Sequence, residues 1–376
     1  MTNNIDISRL QFSAISSQMF RGKTIVLIGP RQTGKTTLIN SILNKNSNYL
    51  FLDGDDISTR QLLENANTAS IQRVIGKYSI VFIDEAQRIN NIGMTSKIIH
   101  DQFKNVQLIL IGSSAFELNN KVNEPLTGRK LEYHLYPISW SEYQTSKGFI
   151  STQQDLENRL IYGMYPDVIN NMGREQLVLS NLVNSYLYKD ILALGNIKKP
   201  EVLDRLLQAL AYQVGSEVSY NELAQLLGVN KETISSYIQL LEQAYIIFRI
   251  NPFSRNLRNE IKTNRKVYFY DNGVRNAVIA AYNDFDLRPD KGALWENFLI
   301  SERIKHLHYN ELYCNYFFWR TKQQQEVDWV EEKNLVIDAY EFKWKDKKTK
   351  LPKSFINTYN ANAFVIDKDN FVDFVS

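Results

Sequence analysis

Short apolar runs alternate with amphipathic stretches over the first third of the chain. Residues 23–28, 48–52, 79–83 and 106–111 are almost continuously apolar. The stretches between them carry helical periodicity over lengths that suit a crossover helix. Runs without polar alternation are the mark of parallel strands buried on both faces. The pattern therefore predicts an α/β, doubly wound core. After about residue 142 the strand pattern stops. Residues 152–212 read as helices, with Leu156, Leu160 and Ile161, then Leu182, Leu187, Ile191 and Leu192, at helical spacing. Residues 213–250 form a compact helix–turn–helix pattern. A strand-like run at 266–270, a helix over 292–308, and strands near 313–319, 326–330, 335–343 and 362–366 predict a second α/β region. No internal repeat or low-complexity segment interrupts this order.

Composition narrows the class without deciding it. Hydrophobic residues make up 44% and charged residues 23% of 376, which excludes wholesale disorder and a collagen-like scaffold. The formal charge of +3 is too balanced to demand a nucleic-acid partner, so any basic surface must be local. One cysteine, Cys314, excludes an internal disulfide and a multi-cysteine zinc site, and fits a reducing compartment. No run of apolar residues is long enough to span a membrane, and the first residues lack a signal-peptide pattern. The expectation is a cytoplasmic protein with no membrane partner.

The first chemistry appears where the first apolar run ends. Gly29-Pro30-Arg31-Gln32-Thr33-Gly34-Lys35-Thr36, followed by Thr37, matches G-x-x-x-x-G-K-[ST] between a strand and a helix. The glycines let backbone amides turn toward a phosphate at a helix N-terminus. Lys35 supplies a point charge to the β- and γ-phosphates, and the Thr36 hydroxyl is a Mg²⁺ ligand. The run at 80–83 ends in Asp84-Glu85, where Asp84 is expected on the metal side and Glu85 as the general base of hydrolysis. The fourth run ends in Gly112-Ser113-Ser114. A hydroxyl there could orient the lytic water, with Ser113 and Ser114 not separable, or simply cap a helix. Arg129, in the turn Leu126-Thr127-Gly128-Arg129, is a candidate for transition-state charge stabilisation or for a surface ion pair. ATP and Mg²⁺ are the expected cofactors.

The motifs GPRQTGKTT, VFIDEAQ, GSSAFEL and LTGR, followed by YPISWSEY and GMYPDVI, resemble a large prokaryotic family. Its members are AAA+-like ATPases whose C-terminal half was long catalogued as a domain of unknown function. The resemblance runs from about residue 20 to the end. It implies an AAA+-type core with a small helical lid. It also implies ring-like homo-oligomers, hexameric in many relatives, in which Arg129 would reach a neighbour's ATP.

Residues 220–230 read as a helix closed by Gly228, and residues 231–241 as a second helix. Ala224, Leu227, Val229, Ile234, Ile238 and Leu241 form the apolar set between them. This reads as a winged helix, with residues 246–250 as a wing strand. In a DNA-reading version Asn230, Lys231, Thr233, Ser236 and Tyr237 would face the duplex. Arg249, Arg255, Arg258, Lys262, Arg265 and Lys266 follow and would line a phosphate-binding face or merely a solvated one.

A second constellation closes the chain. Glu296 lies on the predicted helix, Asp328 on one strand, and Glu341 and Lys343 two residues apart on the next, hence on one face. Oxygen ligands beside a lysine suit Mg²⁺-assisted phosphodiester hydrolysis. The spacing resembles the PD-(D/E)XK nuclease fold, which implies either a working metal site or a retained scaffold used for binding. Gln323, Gln324, Gln325 and the lysines at 345, 347, 348, 350 and 353 flank it. The expected divisions are 1–148, P-loop AAA+-type core; 149–212, helical lid; 213–258, winged helix; and 259–376, nuclease-like domain. The expected activity is ATP hydrolysis coupled to binding and remodelling DNA. The alternatives are a nucleotide-switched scaffold for a protein partner and an ATP-gated metal-dependent nuclease.

Overall fold

The computed structural model describes residues 7–43, 48–113, 118, 121–184, 197, 199–255, 265–345 and 350–376. They form two compact units, Ile7–Tyr136 and a second whose body is Pro137–Ser376.

The first unit is built on five parallel strands: β1 Thr24–Ile28, β2 Tyr49–Asp53, β3 Ile80–Asp84, β4 Gln107–Gly112 and β5 Lys130–His134. Their order is β2-β3-β4-β1-β5. The apolar runs predict four of them: β1, β3 and β4 are buried on both faces, and β2, at the edge, keeps an apolar sequence with only Leu52 buried. Ile25, Leu27, Phe82, Ile109 and Ile111 fill one side of the sheet, and Val26, Ile28, Val81, Ile83 and Leu110 the other. β5 escapes that signal. It is an edge strand, and its sequence, Lys130-Leu131-Glu132-Tyr133-His134, keeps only Tyr133 buried.

The second unit opens with helices, among them Trp140–Lys147, Phe149–Tyr162 and Pro200–Tyr212. Next come β6 Glu217–Val218, helices Tyr220–Leu227 and Lys231–Gln243, β7 Ile247–Ile250 and β8 Arg265–Phe269. These three strands form a small antiparallel sheet in the order β6-β8-β7. The first helix ends at Gly228 as the sequence predicts, and Asn230, read as a duplex contact, caps the second. Gly228 takes the left-handed conformation (φ 66°) that ends the first, and the Asn230 side chain accepts from Thr233 N to start the second.

The rest is the helix Lys291–Tyr309, strands β9 Asn315–Arg320, β10 Glu326–Lys333 and β11 Val336–Phe342, the helix Lys353–Tyr359 and β12 Asn362–Ile366. The sheet order is β12-β11-β10-β9, with β11 and β12 parallel and the other pairs antiparallel.

The helices expected to form a separate lid are sewn into this unit by buried polar side chains. Asp271 Oδ2 accepts from Met164 N at 2.6 Å. Asn272 and Asn276 donate to the carbonyls of Leu160 and Ile161, at 3.1 and 2.7 Å. Leu187, Ile191 and Leu192 lie outside the described residues. The connection after β7 also joins the four-stranded sheet. Phe253 N donates to Phe318 O at 2.6 Å, and the Phe253 ring packs against Phe317, Phe355 and Tyr359.

Candidate functional site

The P-loop lies between the C-terminal end of β1 and the helix Lys35–Leu43, whose first amides have no helical partner of their own. Two features fix its path. A Cβ on Gly29 would meet the Leu135 backbone, with the carbonyl carbon 2.9 Å away, so only glycine fits. Gln32 (φ 57°) and Gly34 (φ 87°) take left-handed backbone conformations that turn the loop. Thr33 is fully buried and its Oγ1 donates to Pro30 O at 2.9 Å. Lys35 is buried too, its Nζ donating to Gly29 O at 2.9 Å and Pro30 O at 2.6 Å. The ammonium is thus held inside the loop that would wrap a phosphate. Arg31 and Gly34 are half-buried, and Gln32 and Thr37 are exposed.

β3 delivers the acidic pair to the same place. Thr36 Oγ1 donates to Asp84 Oδ2 at 2.6 Å, so the two expected metal-side oxygens are already neighbours. Hard oxygen donors of this kind suit Mg²⁺. Asp84 Oδ1 accepts from Glu85 N at 2.8 Å, and Glu85 adopts φ 44°, a strained conformation for a residue other than glycine. Ser113 Oγ donates to Glu85 Oε2 at 3.1 Å, tying the tip of β4 to the tip of β3. Ser114 lies outside the described residues. A carboxylate oriented in this way can take a proton from water.

Three neighbours of the site carry little sequence signal. Gln87 Nε2 donates to Ser113 Oγ at 3.0 Å and also reaches Glu85 Oε2. Gly54 sits against the acidic pair: a Cβ there would fall 2.9 Å from Asp84 O and closer still to Glu85 O. Arg9 braces the loop from outside, donating to Thr33 O at 2.6 Å and Tyr136 O at 2.7 Å. Only Gln87 stands within a quoted motif, VFIDEAQ.

Arg129 is at the other end of the sheet. Its carbonyl accepts from Thr24 N, the first residue of β1, whereas the P-loop follows the last. At about 3.3 Å per strand residue the two ends are roughly 15 Å apart, so Arg129 does not serve this chain's own site. Its Nε pairs with Asp101 at 2.9 Å.

The expected DNA-facing helix corrects the sequence reading at two points. Tyr237 is buried with Ile234, Ile238 and Leu241 on the inner face, and is not available to a duplex. Thr233 is half-buried, and its hydroxyl donates to the Asn230 side chain at 2.6 Å. Lys231 and Ser236 are exposed. The basic run does not make one face. Arg249 is held by Glu242 and by Tyr220 OH (2.7 Å), and Lys266 is 1% exposed. Arg258 and Lys262 lie outside the described residues.

The C-terminal carboxylates do converge. Phe342 N donates to Asp328 Oδ2 at 2.8 Å, and Lys343 Nζ pairs with Glu341 Oε1 at 2.8 Å. A register shift against β9 falls across Asp328 and Trp329, between Val327 and Val330. Burial, then the charges of Glu296 and Glu341, hold the Asp328 carboxyl well above the usual range. What the sequence reading missed is Lys266 at the centre. Its Nζ lies 2.9 Å from Glu296 Oε1 and 2.5 Å from Glu326 Oε1. Tyr268 OH donates to the same Glu296 oxygen at 2.6 Å.

Comparison with known proteins agrees with the first unit's geometry. Residues 21–144 match the family profile described as "AAA domain". Residues 153–284 and 291–372 match two domains of unknown function, DUF8612 and DUF4143. An uncharacterized protein of Methanocaldococcus jannaschii is 26% identical over 96% of this chain and 88% of its own length. One of Mycobacterium tuberculosis is 24% identical over 82% of this chain and 68% of its own. In structure, a Walker-type ATPase of Pyrococcus abyssi aligns at a TM-score of 0.50 and 16% identity, over 73% of this chain and 96% of that one. Among the described residues no helix is long and apolar enough to cross a membrane. The chain carries an AAA-type P-loop ATPase domain, followed by domains of unknown function that end in DUF4143.

Proposed function

We propose that the protein hydrolyses ATP with Mg²⁺ at the P-loop and uses the cycle to act on DNA through its C-terminal unit. The observation that carries the hydrolysis is the 2.6 Å contact of Thr36 with Asp84, beside a Glu85 carboxylate held by Ser113. Thr36 and Asp84 would hold the ion, which when bound neutralises phosphate charge. Lys35 leaves the carbonyls of Gly29 and Pro30 for the β- and γ-phosphates. Glu85 accepts a proton from water as its oxygen bonds to the γ-phosphorus; the bridging P–O bond breaks and ADP departs. Arg129 acts on a neighbouring copy in a ring-like homo-oligomer.

Support for DNA comes from element order. Helix, strand, two helices and two strands, with the sheet order β6-β8-β7, is the layout of a winged helix. Helix, three antiparallel strands, helix and a parallel strand over 291–366 is the layout of PD-(D/E)XK nucleases. Lys231 and Ser236 are the exposed candidates for contact. A second reading, a nucleotide-switched scaffold for a protein partner, is favoured by charge. Lys231 is followed by exposed Glu232, and Arg249 is spent on Glu242, so little net positive charge faces out. Steady-state ATP hydrolysis with single-stranded, duplex and branched DNA separates the two. Stimulation with salt-dependent DNA affinity supports the first; a rate indifferent to every DNA supports the second.

A further inference from the structure

A nuclease of the PD-(D/E)XK type works through a divalent ion held by its carboxylates. The residues in this chain do not fit one, because the place is taken. Lys266 comes from β8, the middle strand of the three-stranded sheet, and ends among Glu296, Glu326 and Asp328. It is 1% exposed, yet it is not an isolated charge: two carboxylates lie within 2.9 Å of Nζ, and the Phe318 ring lies 5.5 Å away. Glu296 Oε1 receives both Lys266 and Tyr268 OH, so two donors already stand at the oxygen that faces Lys266. Lys343 is drawn to Glu341 Oε1, and Asp328 Oδ2 to a backbone amide. Among the described residues no group of three or more His, Cys, Asp or Glu is arranged to hold a metal ion.

We infer that the Lys266 ammonium is the resident cation of this carboxylate cluster. It stands where a nuclease would hold its metal, and it turns a hydrolytic centre into a closed, metal-independent joint between the two sheets. The reason is electrostatic. Glu296, Glu326, Asp328 and Glu341 meet in a partly buried space, and gathering like charges there without a cation is strongly unfavourable. A divalent ion or a buried ammonium can offset that cost, and this chain supplies the ammonium from its own strand. Glu341 Oε2, buried without a hydrogen-bond partner, remains as an oxygen that a metal could use once Lys266 is gone. This inference concerns the C-terminal unit alone and stands whether or not the P-loop turns over ATP. It opposes the ATP-gated nuclease reading.

The test is Mn²⁺ titration of the full chain, read by electron paramagnetic resonance without nucleotide. Asp84→Asn removes the P-loop ligand from every sample. With Lys266 intact, or as Lys266→Arg, no bound Mn²⁺ is expected in the sub-millimolar range. Lys266→Met should gain one Mn²⁺ site and melt at a higher temperature with Mn²⁺ than with chelator. If Lys266→Met does not fold even with Mn²⁺, the intact protein decides: no bound Mn²⁺ upholds the inference. Two results overturn it. One is Mn²⁺ bound with Lys266 in place and lost in Asp328→Asn. The other is a folded Lys266→Met protein that takes none.

Discussion

Gly54→Ala tests whether backbone contact positions the acidic pair. Gly54 follows β2, which pairs with β3 so that Asp53 lies beside Asp84, and Gly54 N donates to Asp84 O at 2.9 Å. A methyl group there would stand 2.9 Å from Asp84 O and from the Glu85 carbonyl carbon, and nearer still to Glu85 O. Both neighbours are backbone, with no rotamer to yield. Ordinary van der Waals separation requires the tip of β3 to move by roughly 1 Å, and overpacking of this kind costs about 1–3 kcal/mol. For a unit of this size that is a fall of several degrees in melting temperature. A displacement of about 1 Å at a reacting group costs on the order of 100-fold in rate. The Lys35 contacts lie on other elements, so nucleotide affinity should stay within a few-fold of wild type. The assays are steady-state ATP hydrolysis and equilibrium binding of a fluorescent ATP analogue. Hydrolysis within threefold of wild type at an unchanged melting temperature would refute the reasoning. An equal loss of binding and hydrolysis would refute it too, by pointing to general disruption.

Three further outcomes follow from the same geometry. Glu302, fully buried, accepts from Trp140 N and pairs with the equally buried Lys305 at 2.6 Å; Glu302→Gln should cost about 3–5 kcal/mol in chemical denaturation by stranding the ammonium. Gly163 has φ 74°, and a Cβ would lie 2.5 Å from the Asp271 carboxyl carbon; Gly163→Ala should lower the melting temperature of the C-terminal unit by more than Gly173→Ala, which meets no atom within 4 Å. Burial holds His100 and His134 below the usual imidazole range. The unfolded chain then takes up protons first, and the stability these groups contribute falls as pH drops from about 6.5 through their folded values. Protection factors of the β1 amides, which correct for the intrinsic slowing of exchange in acid, should fall over that window in wild type, and less so in His100→Gln/His134→Gln.

The first unit was legible because its signals are local. A two-faced buried strand shows as an unbroken apolar run, and the loop between β1 and Lys35 shows as a motif whose glycines the geometry requires. Asp84 and Glu85 are visible as the polar end of such a run. β5 was missed because Lys130, Glu132 and His134 break its apolar pattern, whereas β2, the other edge strand, keeps Leu50, Phe51 and Leu52 in a row. The C-terminal unit depends on contacts distant in sequence. Lys266 sits in a run of basic residues that looks like solvated surface, and only β8's packing against the Lys291–Tyr309 helix turns it inward. Tyr237 failed for a related reason: an amphiphilic ring at helical spacing suits either face, and here the inner face needed the volume. Asp271, Asn272 and Asn276, which join the expected lid to the rest of its unit, are polar residues in the core that no periodicity reveals.

In the proposed function, Glu85 takes the proton from water in a site made by Lys35, Thr36 and Asp84. The most direct measurement is single-turnover ATP hydrolysis by Glu85→Gln beside equilibrium ATP binding, with Lys35→Ala as the companion. Glu85→Gln should bind ATP with Mg²⁺ as tightly as wild type but hydrolyse it at least 100-fold more slowly, while Lys35→Ala should lose binding as well. Hydrolysis by Glu85→Gln at the wild-type rate would contradict it.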